Sequence, residues 1–361
     1  MRRIRAAVCH GFGQPLRVEP VRLRPPGPGE VEVTLGAVAI CHSDIHYAEG
    51  AWGGDLPAVY GHEAAGRITA LGPGTSGYSL GQPVIVTLLR ACGGCPSCAS
   101  GAPAYCASDL GLPPPLTTED GAPIKAAMSC GAFAEAVVVH ASQLAPIPQD
   151  LPMEAACLLA CGVVTGLGSA VNTARIRPGE VVVVIGAGGV GLNAIQGARL
   201  AGAARIVAVD MTAEKLATAR AFGATDGVLA TDPKPWRAAE AAAGRRADAV
   251  LVTVGAIPAY ETAPRYLAPR GRLVMIGMPH SGDTARYEPV VIAALGQGLQ
   301  GALMGDVVLA RDIPWMIDLW RQDRLKLTEL VSGRWRLDQI NAAIADTKSG
   351  AARRNVILFD P

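Results

Sequence analysis

The sequence predicts an α/β protein of two domains, a doubly wound parallel-sheet domain inserted into a β-rich one. Three observations carry this reading. At 361 residues the chain is too long for a single core and fits two domains. Its first part shows short strands broken by Pro/Gly-rich loops, whereas its middle shows uninterrupted apolar runs alternating with helix-compatible segments. Half of the residues (50%) are apolar and 17% are charged, so there is enough to bury in two ordinary globular cores.

Residues 30–40 open with apolar/polar alternation, and 84–86 and 133–139 look similar. Loops rich in Pro and Gly separate them at 25–29, 72–77 and 111–123. After about residue 160 the strand-like runs are 181–185, 205–209, 249–254 and 272–276, mostly Val, Ile and Ala. Segments such as 189–202 and 212–222 between them suit helices. This order indicates a parallel sheet covered on both faces. Residues 311–321 and 336–348 then read as helices and 355–359 as a final strand. The boundaries are therefore 1–162 with 304–361 for the β-rich domain, and 163–303 for the inserted one.

Lys plus Arg (32) nearly cancels Asp plus Glu (31), which leaves no basic footprint for nucleic acid. No stretch of about 18 uninterrupted apolar residues exists, so no membrane span is expected. Arg2, Arg3 and Arg5 read as a solvated terminus, because no apolar run of a signal peptide follows them. A soluble cytoplasmic protein is expected. The nine cysteines are odd in number and accompany no export signal, which argues against a disulfide framework. Clustered cysteines in a reducing compartment more often hold metal.

The segment Gly186-Ala-Gly188-Gly189-Val190-Gly191 follows a strand-like run and opens a helix. The first glycine suits a tight turn, the second lets a pyrophosphate approach the backbone, and the third allows close helix–strand packing. The next strand ends in Asp210, 24 residues beyond Gly186. A carboxylate there accepts hydrogen bonds from ribose hydroxyls and repels a 2′-phosphate, so NAD is favoured over NADP.

Cys92, Cys95, Cys98 and Cys106 give C-x2-C-x2-C-x7-C in one loop, 91–107. Four thiolates so spaced suit a closed tetrahedral zinc site. An iron–sulfur cluster fits less well, since a bacterial ferredoxin run needs a closer fourth cysteine. A second group is dispersed: Cys41, His42, Ser43, Asp44 and His46, then His62 and Glu63, then Cys161. No spacing rule joins these, and buried packing cysteines or ordinary histidines account for them about as well.

Taken in order, these residues resemble the zinc-containing alcohol dehydrogenases of the medium-chain dehydrogenase/reductase superfamily, over nearly the whole chain. The resemblance implies a Rossmann NAD-binding domain within a GroES-like catalytic domain, and two zinc ions per subunit. Cys41, His62 and Cys161 would bind a catalytic zinc, Glu63 would approach it transiently, and Asp44 would orient His62. Cys92, Cys95, Cys98 and Cys106 would bind a structural zinc. Ser43 and His46 match the relay that takes the alcohol proton while hydride passes to the nicotinamide. Asp210 and Lys215 would hold the adenosine ribose, His42 and Arg354 the pyrophosphate, and Thr165 and Val190 would pack against the nicotinamide beside the turn Gly186–Gly191.

Departures narrow the reading. The family's glutathione-linked formaldehyde dehydrogenases carry an acidic residue where this chain has Trp52, which cannot read that adduct. His42 replaces the commoner arginine. Trp52 and Leu88 align with pocket walls, and Met278 and Met304 lie near the expected nicotinamide end. An apolar pocket for aliphatic, aromatic or terpenoid primary alcohols is therefore expected. The alternatives are a formaldehyde dehydrogenase acting on another thiol adduct, and a non-catalytic zinc-ribbon binding protein. The family's dimers imply a homodimer or homotetramer here, paired through about residues 290–304.

Overall fold

The computed structural model describes residues 1–360 and resolves into two compact units, residues 1–161 with 308 onward, and residues 162–307. The chain returns to the first unit at Val308, a little later than the sequence pattern placed it. The turn Met304–Asp306 explains the difference, because Asn172 and Thr173 of the inserted unit bond to it.

The first unit is β-rich. Five short strands close a barrel in the order Arg2–Cys9, Arg17–Leu23, Leu116–Thr117, Pro123–Ala126, Ala58–Val59. A second sheet runs Leu144–Pro146, Pro83–Thr87, Glu63–Leu71, Glu30–Ala39, Arg354–Leu358, Val331–Arg336, with Ala136–His140 also paired to Glu30–Ala39. The N-terminus is not the solvated tail expected of it. Arg2, Arg3 and Arg5 lie on a barrel strand that points Ile4 and Ala6 inward, and they pair with Glu32, Glu119 and Asp338. The alternation at residues 30–40 also hides a feature: Glu30 and Glu32 are themselves buried. Arg24 makes the burial of Glu30 tolerable by gripping both carboxylate oxygens, at 2.6 and 2.7 Å.

The inserted unit holds six parallel strands, numbered in chain order β1 (Val181–Ile185), β2 (Arg205–Asp210), β3 (Asp226–Leu229), β4 (Ala247–Val252), β5 (Leu267–Met275) and β6 (Gly298–Gly301). They lie in the order β3-β2-β1-β4-β5-β6, which is the doubly wound arrangement with a switch point between β1 and β4. Strand β1 is buried along its whole length because helices cover both faces of the sheet. The edge strands β3 and β6 have few buried positions, so neither carries the apolar run that marked the others.

Helix α1 (Gly162–Gly168) packs against helix α2 (Gly189–Leu200) with backbones almost in contact. A Cβ on Gly166 would meet the Val190 carbonyl at 2.2 Å, so only glycine permits this approach. Helix α1 then widens into a π-type turn over Ser169–Thr173. Among the described residues no single helix is long and apolar enough to cross a membrane.

Candidate active site

The strand Glu30–Ala39 pairs antiparallel with Glu63–Leu71, with Ala39 opposite Glu63. That register brings Cys41, just past one strand, beside His62, just before the other. Cys161 follows the short turn Cys157–Ala160. One donor atom from each of Cys41, His62, Glu63 and Cys161 lies within 4.8 Å of all the others, and all four residues are buried. Gly61 permits the approach: its φ is +93°, and a Cβ there would stand 2.6 Å from the Phe133 nitrogen.

Asp44 organises this cluster. Its Oδ1 accepts from the Gly61 N–H at 2.8 Å and from His62 Nδ1 at 2.9 Å, while Oδ2 accepts from the Cys41 N–H at 3.0 Å. With Nδ1–H committed to the carboxylate, the lone pair of His62 falls on Nε2. That atom is buried and has no protein partner. Two sulfurs, an imidazole nitrogen fixed through its other nitrogen, and a nearby carboxylate match what zinc requires of a catalytic site.

The electrostatics agree with a cation-binding cluster. Hydrogen bonding from the Cys161 thiol, helped by His62, holds the Cys41 thiol well below its usual range, and Cys161 is raised well above it by the same shared proton and by burial. Burial pushes the Glu63 carboxyl up to about 7, against the pull of Arg354. Arg354 was expected at the pyrophosphate; its guanidinium is buried in this cluster, 3.4 Å from Glu63.

Ser43 and His46 lie on one face of the helix His42–Ala48, which Cys41 caps. Ser43 is half-buried and His42 exposed. The His46 ring sits against Trp52, with centroids 5.1 Å apart, and Trp52 meets Tyr47 edge-on at 5.0 Å. Leu88 packs on the barrel core.

The second cluster is the loop 91–107. Cys92, Cys95, Cys98 and Cys106 bring their sulfurs within 4.8 Å of one another. The Cys92 N–H donates to Cys106 Sγ and the Cys95 N–H to Cys92 Sγ, both at 3.3 Å. Ser108, which the spacing did not single out, donates its hydroxyl to Cys92 Sγ at 3.2 Å. That bond, with backbone N–H groups, brings the Cys92 thiol down to about 6.

In the inserted unit the glycine turn joins β1 to α2 as the spacing requires. A Cβ on Gly191 would lie 1.8 Å from the Gly186 carbonyl, so the turn closes only without a side chain. A Cβ on Gly188 would meet nothing within 4 Å. That open backbone at the start of α2, where Gly189 and Val190 follow, is the cradle a pyrophosphate needs. Asp210, at the end of β2, accepts from the Ala187 N–H at 2.6 Å and so ties the acid to the turn. Lys215 lies 3.9 Å from the same carboxylate, on the helix Ala213–Ala221. Thr165 on α1 is buried, its hydroxyl 3.5 Å from Met304 Sδ.

Comparison with known proteins matches this arrangement. Residues 27–149 fit the family described as alcohol dehydrogenase GroES-like domain, and residues 189–322 the family described as zinc-binding dehydrogenase. The chain is 32% identical to alcohol dehydrogenase B of Mycobacterium tuberculosis, over 98% of both chains. The chain belongs to the zinc-dependent alcohol dehydrogenases of the medium-chain dehydrogenase/reductase superfamily. It is equally similar, at 32% over 98% of each chain, to an NDMA-dependent alcohol dehydrogenase of Amycolatopsis methanolica. The crystal structure of benzyl alcohol dehydrogenase from Acinetobacter calcoaceticus superposes over the full length of both chains with a TM-score of 0.93 at 27% identity. Alcohol dehydrogenase membership accounts for both donor clusters and for the GroES-like and Rossmann-like parts of the chain.

Proposed function

We propose that this alcohol dehydrogenase interconverts primary alcohols and aldehydes with NAD, acting on aliphatic, aromatic or terpenoid substrates. The observation that carries the proposal is the donor set Cys41, His62 and Cys161, with an unpartnered His62 Nε2 and Asp44 behind the ring. When bound, zinc at these donors supplies Lewis acidity toward a hydroxyl or carbonyl oxygen, and NAD in the glycine turn supplies the hydride acceptor. The protein's own groups do the rest. Ser43 Oγ accepts the alcohol proton as it gives up its own hydroxyl proton, and His46, three residues on along the same helix face, carries the released proton outward. Trp52 restrains the His46 ring and, with Leu88, contributes apolar wall. Asp210 reads the ribose diol and disfavours a 2′-phosphate.

Support for an aromatic substrate comes from the benzyl alcohol dehydrogenase likeness and from the apolar pair Trp52 and Leu88. The relative named for NDMA dependence favours a second reading, in which turnover depends on NDMA. One assay separates the two: aldehyde formation from benzyl alcohol and a series of primary alcohols, with NAD alone and then with NDMA added as the electron acceptor. Turnover with NAD alone supports the first reading, and turnover only with NDMA supports the second. The proposal extends to a cytoplasmic homodimer or homotetramer, supported by exposed Val290 and Val291 ahead of the edge strand β6.

A further inference from the structure

Met304, Gly305 and Asp306 are three successive residues with left-handed backbone, at φ values of 52°, 63° and 51°. Glycine adopts this conformation freely and aspartate tolerates it; a methionine holds it only where its surroundings enforce it. Here the surroundings are specific. The Thr173 hydroxyl donates to Asp306 Oδ2 at 2.7 Å, and the Asn172 amide donates to the Gly305 carbonyl at 3.1 Å. A Cβ on Gly305 would stand 2.4 Å from the Val164 carbonyl, so the turn lies directly on α1. Both donors come from the π-type turn Ser169–Thr173, a local widening that is frequently tied to function.

The place of the turn in the sheet says what it serves. The glycine turn at the carboxyl end of β1 offers the pyrophosphate cradle, and Asp210 at the end of β2, tied to that turn through the Ala187 N–H, would take one ribose on the NAD reading. A dinucleotide spans the switch point, so its other half runs over the carboxyl ends of β4 to β6. The turn follows β6 at that edge. Met304 touches Thr165, whose neighbour Gly166 abuts Val190 at the start of α2.

We propose that the Thr173–Asp306 bond is a lock that keeps this strained turn in place as a seat for the nicotinamide half of the cofactor, a role that rests on the NAD reading above. Thr173 and Asp306 are then positioning residues, acting through the Met304 backbone. Neither takes part in proton or hydride transfer.

The test measures NADH and ADP-ribose binding to the full chain and to Asp306→Ala, Thr173→Val and Asp306→Asn, with cofactor fluorescence for NADH and calorimetry for ADP-ribose. ADP-ribose lacks the nicotinamide. Loss of the lock is expected to weaken NADH about tenfold, the effect of one charge-assisted hydrogen bond, and to leave ADP-ribose binding unchanged. Asp306→Asn, which keeps an acceptor oxygen and tolerates the left-handed region, is expected to restore most of the NADH affinity. Equal weakening of both ligands marks general damage to the unit and overturns the lock, as does unchanged NADH binding in the variants. Failure of the unaltered protein to bind NADH removes the NAD reading and the lock with it; binding that the variants retain removes the lock alone.

Discussion

Asp44 is the residue whose loss tests the metal centre most sharply without touching a ligand. Three donors converge on its buried carboxylate: the N–H groups of Cys41 and Gly61 and the His62 ring. Asp44→Ala strands all of them and frees the ring that presents Nε2. Removing such an outer partner costs about 10- to 100-fold in metal affinity, which is about 1.4 to 2.7 kcal/mol. Asp44→Ala is expected near the upper end. Asp44→Asn keeps an oxygen at the Oδ1 position facing Gly61 and His62, but sets an amide NH2 against the Cys41 N–H. About tenfold weaker binding is expected of it, with a stability cost of about 1–3 kcal/mol for the opposed donor. The assay is zinc per chain after dialysis against graded chelator, with the four-cysteine loop as internal reference. Only one of two zinc populations is expected to shift. If Asp44→Ala retains both with unchanged chelator dependence, the assignment of the cluster at Cys41, His62 and Cys161 is wrong.

Other expectations follow from single side chains. Ser43→Ala is expected to lower turnover at neutral pH about a hundredfold while zinc content and NADH affinity stay constant; unaltered turnover removes the relay. His42→Arg supplies a permanent charge where an exposed imidazole now stands, and about three- to tenfold tighter NADH binding is expected by fluorescence titration. Glu30→Gln tests the buried pair with Arg24. Burial alone raises the Glu30 carboxyl, but Arg24 and the Gly27 N–H win and hold it below its usual range. A lowered carboxyl contributes stability that is fully present above its unfolded value and is lost as the pH falls through the folded one. The substitution is therefore expected to cost about 3 kcal/mol at neutral pH, and the gap in denaturant midpoint to begin narrowing only as the pH falls below about 4.3, the unfolded carboxyl's value.

What the sequence made legible followed from locality. The four-cysteine loop and the glycine turn are contiguous, so their spacing alone states their geometry, and Asp210 stands where the second strand must end. The buried strands β1, β2, β4 and β5 advertise themselves because burial on both faces demands unbroken apolar runs. The edges β3 and β6 lack that demand and were invisible. The cluster of Cys41, His62, Glu63 and Cys161 is assembled by strand register across the second sheet, which no residue spacing records; only the family resemblance singled it out. The ion pair of Arg354 with Glu63 was likewise beyond the reach of spacing, because the two residues lie far apart in the chain and meet only through the fold. The turn at Met304 was missed as a strained element, although Gly305 and Asp306 are both residues that tolerate left-handed backbone. The basic N-terminus misled because its arginines alternate with inward Ile4 and Ala6, a strand pattern too short to stand out.

The central claim is that a metal centre at Cys41, His62 and Cys161 serves NAD-linked alcohol oxidation. Zinc per chain and NADH formation from a panel of primary alcohols, measured on one sample, test it most directly. The account predicts about two zinc per chain with turnover that depends on NAD. About one zinc per chain and no turnover would leave the four-cysteine loop intact, and would contradict the metal centre and the activity built on it.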